Sequence, residues 1–360
     1  MSMNKMRVAI IGQGRSGRDI HGAFFRSVDN DLCEVVCVVE VDEARRARAA
    51  EEYGCDTVAD YKELFGRNDI DVVVNASYSH MHYAISKDLL EHGFHVLCEK
   101  PFGRTYDECM DLIRTAKKHN VTVTVFHQSL YNPAFLHVKE VMKSGKLGRV
   151  LQINLKYSGF ARRWDWQTLQ ACCAGGIYNT GPHPIGQALD LLDWDVETKV
   201  VFSSLDTVLT SGDSDDYGKI ILSAPEKPVV DIEVISADAF AGDYTFKIYG
   251  SKGTLLSTNS SYKIKYIEDF SVYPERPVIR GFLAKPDGTP MYCSEKLSFT
   301  EEEGKIEGTS FDVAVKDFYR MLYGTVMEGK APEITPEHAA MVIGVIDTCH
   351  VQNPLPVRFD

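Results

Sequence analysis

Residues 12–17 read Gly12-Gln13-Gly14-Arg15-Ser16-Gly17, and no other stretch limits the fold as tightly. A β-branched run, residues 6–11, precedes this glycine loop, and a helical stretch, 15–27, follows it. In such a loop the first glycine permits a tight turn and the second lets the backbone approach a pyrophosphate. The third lets the helix pack closely on the strand. The free N–H groups at the helix start then face the phosphates.

The next ~110 residues keep alternating short apolar runs with helical stretches. Strands are predicted at Val35–Val39, Ile70–Ala76, Phe94–Cys98 and Val121–Phe126, and helices at Asp42–Tyr53, up to Gly93, and Tyr106–Asn120. Such alternation predicts a parallel sheet covered on both faces. Glu40 ends the second strand 23 residues after Gly17, where a Rossmann fold places an acid on the adenosine ribose hydroxyls. A carboxylate there repels a 2′-phosphate, which favours NAD over NADP; Asp42 reads as a helix N-cap, and Arg45 and Arg46 soften the preference.

After residue 127 the texture changes. Leu151, Ile153, Leu155 and Tyr157 alternate with Gln152, Asn154 and Lys156, and Val230, Ile232 and Val234 with Asp231 and Glu233. Period-two patterning predicts a sheet with one wet face, typical of antiparallel pairing. Helices are expected over 310–328 and from Thr335-Pro336-Glu337, where a capping residue precedes a proline at the first helical position. The fold expected is α/β: a Rossmann dinucleotide-binding domain over 1–126, then an α+β domain over 127–360 with a large open, mostly antiparallel sheet for substrate binding and oligomerisation.

Composition narrows the partners. A net charge of −12 argues against nucleic acid or an anionic membrane. No stretch approaches the ~20 apolar residues of a membrane span, and the N-terminus runs directly into a strand rather than a signal peptide. The nine scattered cysteines, without a C-x-x-C pair, suit a reducing cytoplasm. His80 and His82 lie close but lack a third ligand, so no metal site is expected.

Glu99 and Lys100 emerge at the carboxyl edge of the sheet, where open α/β sheets bind ligands, and Pro101 stops the strand behind them. A lysine beside a nicotinamide can hydrogen-bond a substrate hydroxyl. Its alternative is a surface ion pair with Glu99, worth little. "VLCEKP" in this position resembles the E-K-P signature of the glucose–fructose oxidoreductase/inositol dehydrogenase/rhizopine-catabolism (Gfo/Idh/MocA) family. "NASYSHMHYAIS", with Ser77, Tyr78, Ser79 and His82, is similar to that family's A-T-P-N-x-x-H segment. "SGKLGRV" (144–150) and "KIYGSKGTL" (247–255) resemble its later strand signatures.

"GGIYNTGPHPIG" resembles the family's G-G-x-x-x-[D/N]-x-G-x-H, and departs from it at Asn179 and at Gly186, where an acid is frequent. The resemblance implies a sugar, polyol or inositol oxidoreductase in which His183 is the base and Lys100 polarises the same oxygen. Asn179, four residues before His183 and so on the same face of a helix, hydrogen-bonds only. Gly12, Gln13, Gly14, Arg15, Ser16, Gly17, Glu40, Ser77, Ser79, His82, Glu99 and Lys100 are the expected cofactor contacts. Tyr178 is read as packing or binding substrate, with a rival role as acid/base, because a nearby cation favours its phenolate. In "GFARRWDWQT", Arg162, Arg163, Trp164, Asp165 and Trp166 are candidates for gripping a sugar ring, against a plain surface loop; Gln128, Tyr131 and Asn132 are weaker ones. The alternatives are a dinucleotide-binding sensor without turnover, and an enzyme that recycles tightly held NAD. A homodimer or homotetramer is expected, with the open sheet covered by another subunit.

Overall fold

The computed structural model describes residues 4–308 and 313–359. Its strands are β1 (Met6–Ile11), β2 (Cys33–Val39), β3 (Asp56–Val58), β4 (Val72–Asn75), β5 (Val96–Cys98), β6 (Val123–Val125), β7 (Val150–Ser158), β8 (Lys199–Asp206), β9 (Tyr217–Ser223), β10 (Val229–Ile235), β11 (Phe246–Gly250), β12 (Gly253–Ser257), β13 (Ser261–Tyr266) and β14 (Thr300–Lys305). The α-helices are α1 (Gly22–Phe25), α2 (Glu43–Tyr53), α3 (His82–Glu91), α4 (Tyr106–His119), α5 (Pro133–Lys143), α6 (Gly176–Asn179), α7 (Pro182–Leu191), α8 (Val315–Glu328) and α9 (Pro336–Gln352).

β1 to β6 form one parallel sheet in the order β3-β2-β1-β4-β5-β6. The chain reverses direction across this sheet at β1/β4, which opens a crevice at their carboxyl ends. Val8, Ala9, Ile10, Val72, Val73 and Val74 are fully buried, as expected of strands covered on both faces. β3 was not foreseen: it is a three-residue edge strand without an apolar run. The helices stop and start as their ends dictate. Asp42 caps α2 by accepting the Arg45 N–H at 2.8 Å, and α2 ends at Gly54 with φ 64°. α4 carries Asp107 and Glu108 in its first turn and Lys117, Lys118 and His119 in its last, matching its dipole. The helix expected over 15–27 is present over 15–25, but its first part, Arg15–His21, is wound as a wider π-helix that runs into α1.

The second sheet has eight strands, β14-β13-β12-β11-β7-β10-β9-β8. It is antiparallel throughout except for β7 with β10, which are parallel. These are the two strands whose alternation pointed to antiparallel pairing. The pattern reports one wet face and not strand direction, and each has an antiparallel neighbour on its other side. Ile153, Leu155, Val230, Ile232, Ile248 and Leu255 bury the inner face, while on the outer face Lys219 pairs with Asp231 at 2.5 Å and Glu233 at 2.8 Å.

α8 and α9 follow this sheet in sequence but return to the first one. α9 packs on α4, and Tyr319 of α8 stacks on Phe24 with ring centroids 4.7 Å apart. Thr335 caps α9 as its sequence predicts, accepting the His338 N–H. α8 begins at Val315; residues 310–312 of the helix expected there lie outside the described residues.

Candidate active site

The phosphate loop is built as three glycines require. Gly12 has φ 92°, and a Cβ on it would lie 2.5 Å from the Ala76 carbonyl oxygen. A Cβ on Gly17 would run into the Gly12 carbonyl. A Cβ on Gly14 would meet no described atom within 4 Å beyond its chain neighbours, so the middle glycine faces open space where a pyrophosphate would approach. Arg15 is exposed and Ser16 half-buried beside it. Glu40, at the end of β2, accepts the Gln13 N–H at 2.8 Å and the Asp42 N–H at 3.1 Å, which fixes its carboxylate beside the loop. Arg45 is 3.8 Å from the same carboxylate, and Arg46 bonds the carbonyls of Glu40 and Val41. These residues fit a dinucleotide: an open glycine for the phosphates and an acid at the ribose position.

Two of the expected cofactor contacts, His82 and Glu99, bond within the protein. Ser79 is buried, and His82, 1% exposed, spans the carbonyls of Pro101 (2.7 Å) and Ser77 (3.2 Å). Burial holds the imidazole pKa of His82 down, so it ties the loop after β4 to the loop after β5 without facing the crevice. Glu99, 4% exposed, turns inward to His21. The short β5 leaves its odd and even side chains on opposite sides, and only Lys100 reaches the crevice. Ser77, half-buried, bonds Asn75 Oδ1 at 2.7 Å and stays at the crevice rim.

Lys100 Nζ donates to the Asn179 carbonyl at 2.8 Å. Burial lowers the pKa of this ammonium; Glu99 opposes that, and Arg15 and Arg163 add to it. The phosphate loop and the 160s loop therefore both deliver positive charge to Lys100. His183 lies half-buried close by. Its pKa is pushed down to about 3, first by burial, then by Lys100 and His127, so its imidazole is neutral at pH 7 and can accept a proton. Its Nδ1 has no hydrogen-bond partner among the described residues.

His127 escaped the sequence reading. It stands two residues past β6, on the same carboxyl edge, 3% exposed, with Nδ1 unpartnered among the described residues. Burial and then Lys100 push it down to about 4. Gly186 of α7 faces it: a Cβ there would lie 3.7 Å from His127 Nδ1, at ordinary contact distance. The signal was available in the edge position of "VFHQ". Its neighbours fare worse as candidates, since Tyr131 bonds Glu333 and Asn132 caps α5. Gln128 is half-buried.

Two expectations for the next segment need correcting. Asn179 and His183 do not share one helix, because α6 ends at Asn179 and α7 begins at Pro182. Asn179 meets Lys100 through its backbone carbonyl, while its side chain donates to Gln167 O at 3.0 Å. Tyr178 is buried, donates to Arg104 O at 2.8 Å and stacks on His350. Burial raises its pKa far above the phenol range, which speaks for the packing reading and against the rival acid/base one.

The 160s loop is half engaged. Trp166 meets Tyr78 edge-on at 4.9 Å across the crevice mouth, and Arg163 pairs with Asp165 at 2.5 Å. Asp165 also caps the turn Trp166–Thr168, Arg162 bonds Ser211, and Trp164 is 82% exposed. Arg163 and Trp166 thus face the crevice region, and Trp164 faces solvent.

A second unforeseen group holds this loop in place. In "SGDSDDYG", Asp213 accepts the N–H groups of Gln170, Arg358 and Phe359, and Asp216 those of Val208, Leu209 and Thr210. Asp215 Oδ2 accepts the Ile177 N–H at 2.7 Å, while Oδ1 has no partner among the described residues. Burial, aided by Asp216, pushes the Asp215 carboxyl up to about 7. Its folded pKa exceeds its unfolded value of about 4, so the folded state holds the proton more tightly. Stability from this group is greatest below pH ~4 and is lost, at about 1.4 kcal/mol per pH unit, as pH rises to 7. Asparagine at 215 keeps an oxygen for Ile177. Thermal melts at pH 5 and pH 8 are expected to show a smaller drop for Asp215→Asn than for the parent; equal drops would refute the assignment.

Comparison with known proteins bears on the fold and the family. The model of the oxidoreductase family with an NAD-binding Rossmann fold matches residues 6–127, and that of the Gfo/Idh/MocA C-terminal domain matches 135–256. An uncharacterised oxidoreductase of Schizosaccharomyces pombe is 28% identical over 265 residues, 71% of this chain and 70% of that protein. The scyllo-inositol 2-dehydrogenase (NADP+) of Bacillus subtilis is 24% identical over 351 residues, 96% and 93% of the two chains. Among solved structures, an NAD-binding protein from Listeria innocua superposes with TM-score 0.79 at 20% identity, covering 99% and 100% of the chains. Levoglucosan dehydrogenase, in complex with NADH and levoglucosan, gives 0.74 at 19%, covering 97% and 98%. At such identities the superpositions speak for the fold, and the two family models, which together span most of the sequence, speak for descent. The chain belongs to the Gfo/Idh/MocA family of oxidoreductases.

Proposed function

We propose that this protein is an NAD-dependent oxidoreductase that acts on a secondary alcohol, or the matching ketone, of a sugar, polyol or inositol. The observation that carries the reading is the convergence of the Lys100 ammonium and the neutral imidazole of His183, whose Nδ1 has no partner among the described residues, at one sheet edge beside the open Gly14. Bound NAD would supply a nicotinamide able to exchange hydride with the carbinol carbon. The chain's own task is then the proton. A substrate oxygen set between Lys100 and His183 donates its proton to the imidazole, while the ammonium stabilises the alkoxide character that develops. Arg163 and Trp166 bound the space in which the rest of the sugar would lie.

A carboxylate at Glu40 with two backbone N–H groups on it favours NAD, although Arg45 and Arg46 stand close enough to compensate a 2′-phosphate. The test is formation of reduced cofactor, followed by absorbance, across sugars, inositols and polyols with NAD and NADP in parallel. Turnover of one such group with NAD is expected. Turnover with NADP alone would refute the role given to Glu40, and binding of NAD without turnover of any substrate would favour the sensor reading. Stoichiometric NAD released on denaturation would instead identify a recycled, tightly held cofactor.

No described helix is long and apolar enough to cross a membrane, and we place the protein in the cytoplasm on its unpaired cysteines. A homodimer or homotetramer through the outer face of the eight-stranded sheet completes the proposal. A monomeric mass in light scattering would overturn that part.

A further inference from the structure

Behind Lys100, three buried side chains from three elements form one hydrogen-bonded line. Tyr319 of α8 and His21 of the π-helix before α1 are both 0% exposed, and Glu99 is 4% exposed. The Tyr319 hydroxyl lies 2.7 Å from His21 Nδ1, and His21 Nε2 lies 3.1 Å from Glu99 Oε1. The other oxygen of Glu99 accepts the Lys100 backbone N–H at 3.0 Å.

One polarity satisfies every atom. Tyr319 donates to Nδ1, so the ring proton sits on Nε2 and is donated to the carboxylate. Burial by itself would raise the Glu99 pKa and drive the group neutral. The hydrogen bond that His21 donates, with the Lys100 charge, more than reverses this and holds the carboxyl below the ordinary carboxylate value. Glu99 is therefore ionised one residue from Lys100. The charged groups around that ammonium are Glu99, Arg15 and Arg163, and of these Glu99 alone favours the protonated form. The same carboxylate acts on His183 and His127, against Lys100.

We propose that His21 is a positioning residue: together with Tyr319 it keeps Glu99 ionised and thereby keeps Lys100 an ammonium at neutral pH. This deepens the reading of Lys100 given above and rests on it. Without His21 a carboxyl enclosed in apolar surroundings takes up a proton, and Lys100 loses its counter-charge. The site requires the ammonium, which is present below the Lys100 pKa and lost as pH rises through it. Loss of His21 therefore moves the alkaline limb of kcat/KM to lower pH.

The deciding measurement uses the full-length, cofactor-free protein. The rate at which an amine-specific acylating reagent labels Lys100 is followed against pH, with the site quantified by mass spectrometry. His21→Leu is expected to lower the Lys100 midpoint by about one pH unit, so that labelling below the midpoint speeds up about tenfold. His21→Gln, whose amide can donate to Glu99, should return most of the shift, and Tyr319→Phe should produce a smaller shift of the same sign. In a Glu99→Gln background, His21→Leu should add nothing. A folded His21→Leu protein with the parental Lys100 titration would overturn the proposal. Should that variant fail to fold, a parental titration in Tyr319→Phe would do the same. Because labelling needs no cofactor, it stays informative even where the parent turns over none of the substrates tried.

Discussion

Replacing Lys100 with methionine is expected to lower kcat/KM by about a thousandfold while NAD still binds. Methionine keeps the length of the side chain and removes the charge, so the loop after β5 has no steric reason to move. What disappears is the donor that bonds Asn179 O at 2.8 Å and that would bond a substrate oxygen in its place. The substitution also changes the base. After burial, Lys100 is the largest influence holding His183 down at about 3. Without it the imidazole pKa rises, and the acid limb of the pH profile, set by protonation of the base, moves to higher pH. The change is visible without turnover, as an upward shift of the His183 ring resonances titrated by NMR. A variant that keeps parental kcat/KM would remove Lys100 from the chemistry. A large fall in kcat/KM with an unmoved His183 titration would show that the two groups do not share a site.

How legible this site was depended on whether a residue's role is local. The phosphate loop was fully readable, because Gly12 and Gly17 are demanded by turn geometry within one βα unit. Lys100 was readable because a strand followed by E-K-P fixes its place on the sheet edge. The N-caps of α2 and α9 were readable for the same reason. His127 was missed because its importance comes from neighbours distant in sequence, Gly186 of α7 facing it and the Lys100 charge acting on it. The shared face of Asn179 and His183 and the rival acid/base role of Tyr178 were misread because the helix breaks at Thr180-Gly181, where the Gly181 N–H bonds back to Gly176 O. That break turns the Tyr178 ring onto α9 and leaves Asn179 to act through its carbonyl. Asp213, Asp215 and Asp216 drew no reading from the sequence, because the loop amides that converge on these buried carboxylates are distant in sequence. Strand direction in the second sheet was not encoded in its alternation at all, since β7 and β10 present the same period two to parallel and antiparallel neighbours.

The glycine loop supports the other large prediction. Gly17→Ala is expected to destabilise the protein by about 2–3 kcal/mol and to abolish NAD binding, with Gly14→Ala as its counterpart. The Cβ added at 17 meets the Gly12 carbonyl, and Gly12 is itself wedged against the Ala76 carbonyl with φ 92°. Backbone meets backbone on both sides, so nothing flexible can yield, and the strain passes from the loop after β1 to the loop after β4. At Gly14 the backbone is extended, with φ −78° and ψ −160°, and a Cβ would meet no described atom within 4 Å beyond its chain neighbours, so alanine costs the fold little. Its methyl group would instead fill the space left for the pyrophosphate. Thermal melts and calorimetric titration with NAD separate the two effects: Gly14→Ala should melt with the parent and bind NAD at least about tenfold more weakly, whereas Gly17→Ala should lose both properties. Parental affinity in Gly14→Ala would mean that the phosphates do not cross the middle glycine. Parental stability in Gly17→Ala would mean that the loop can open away from Gly12, which its packing against Ala76 argues against.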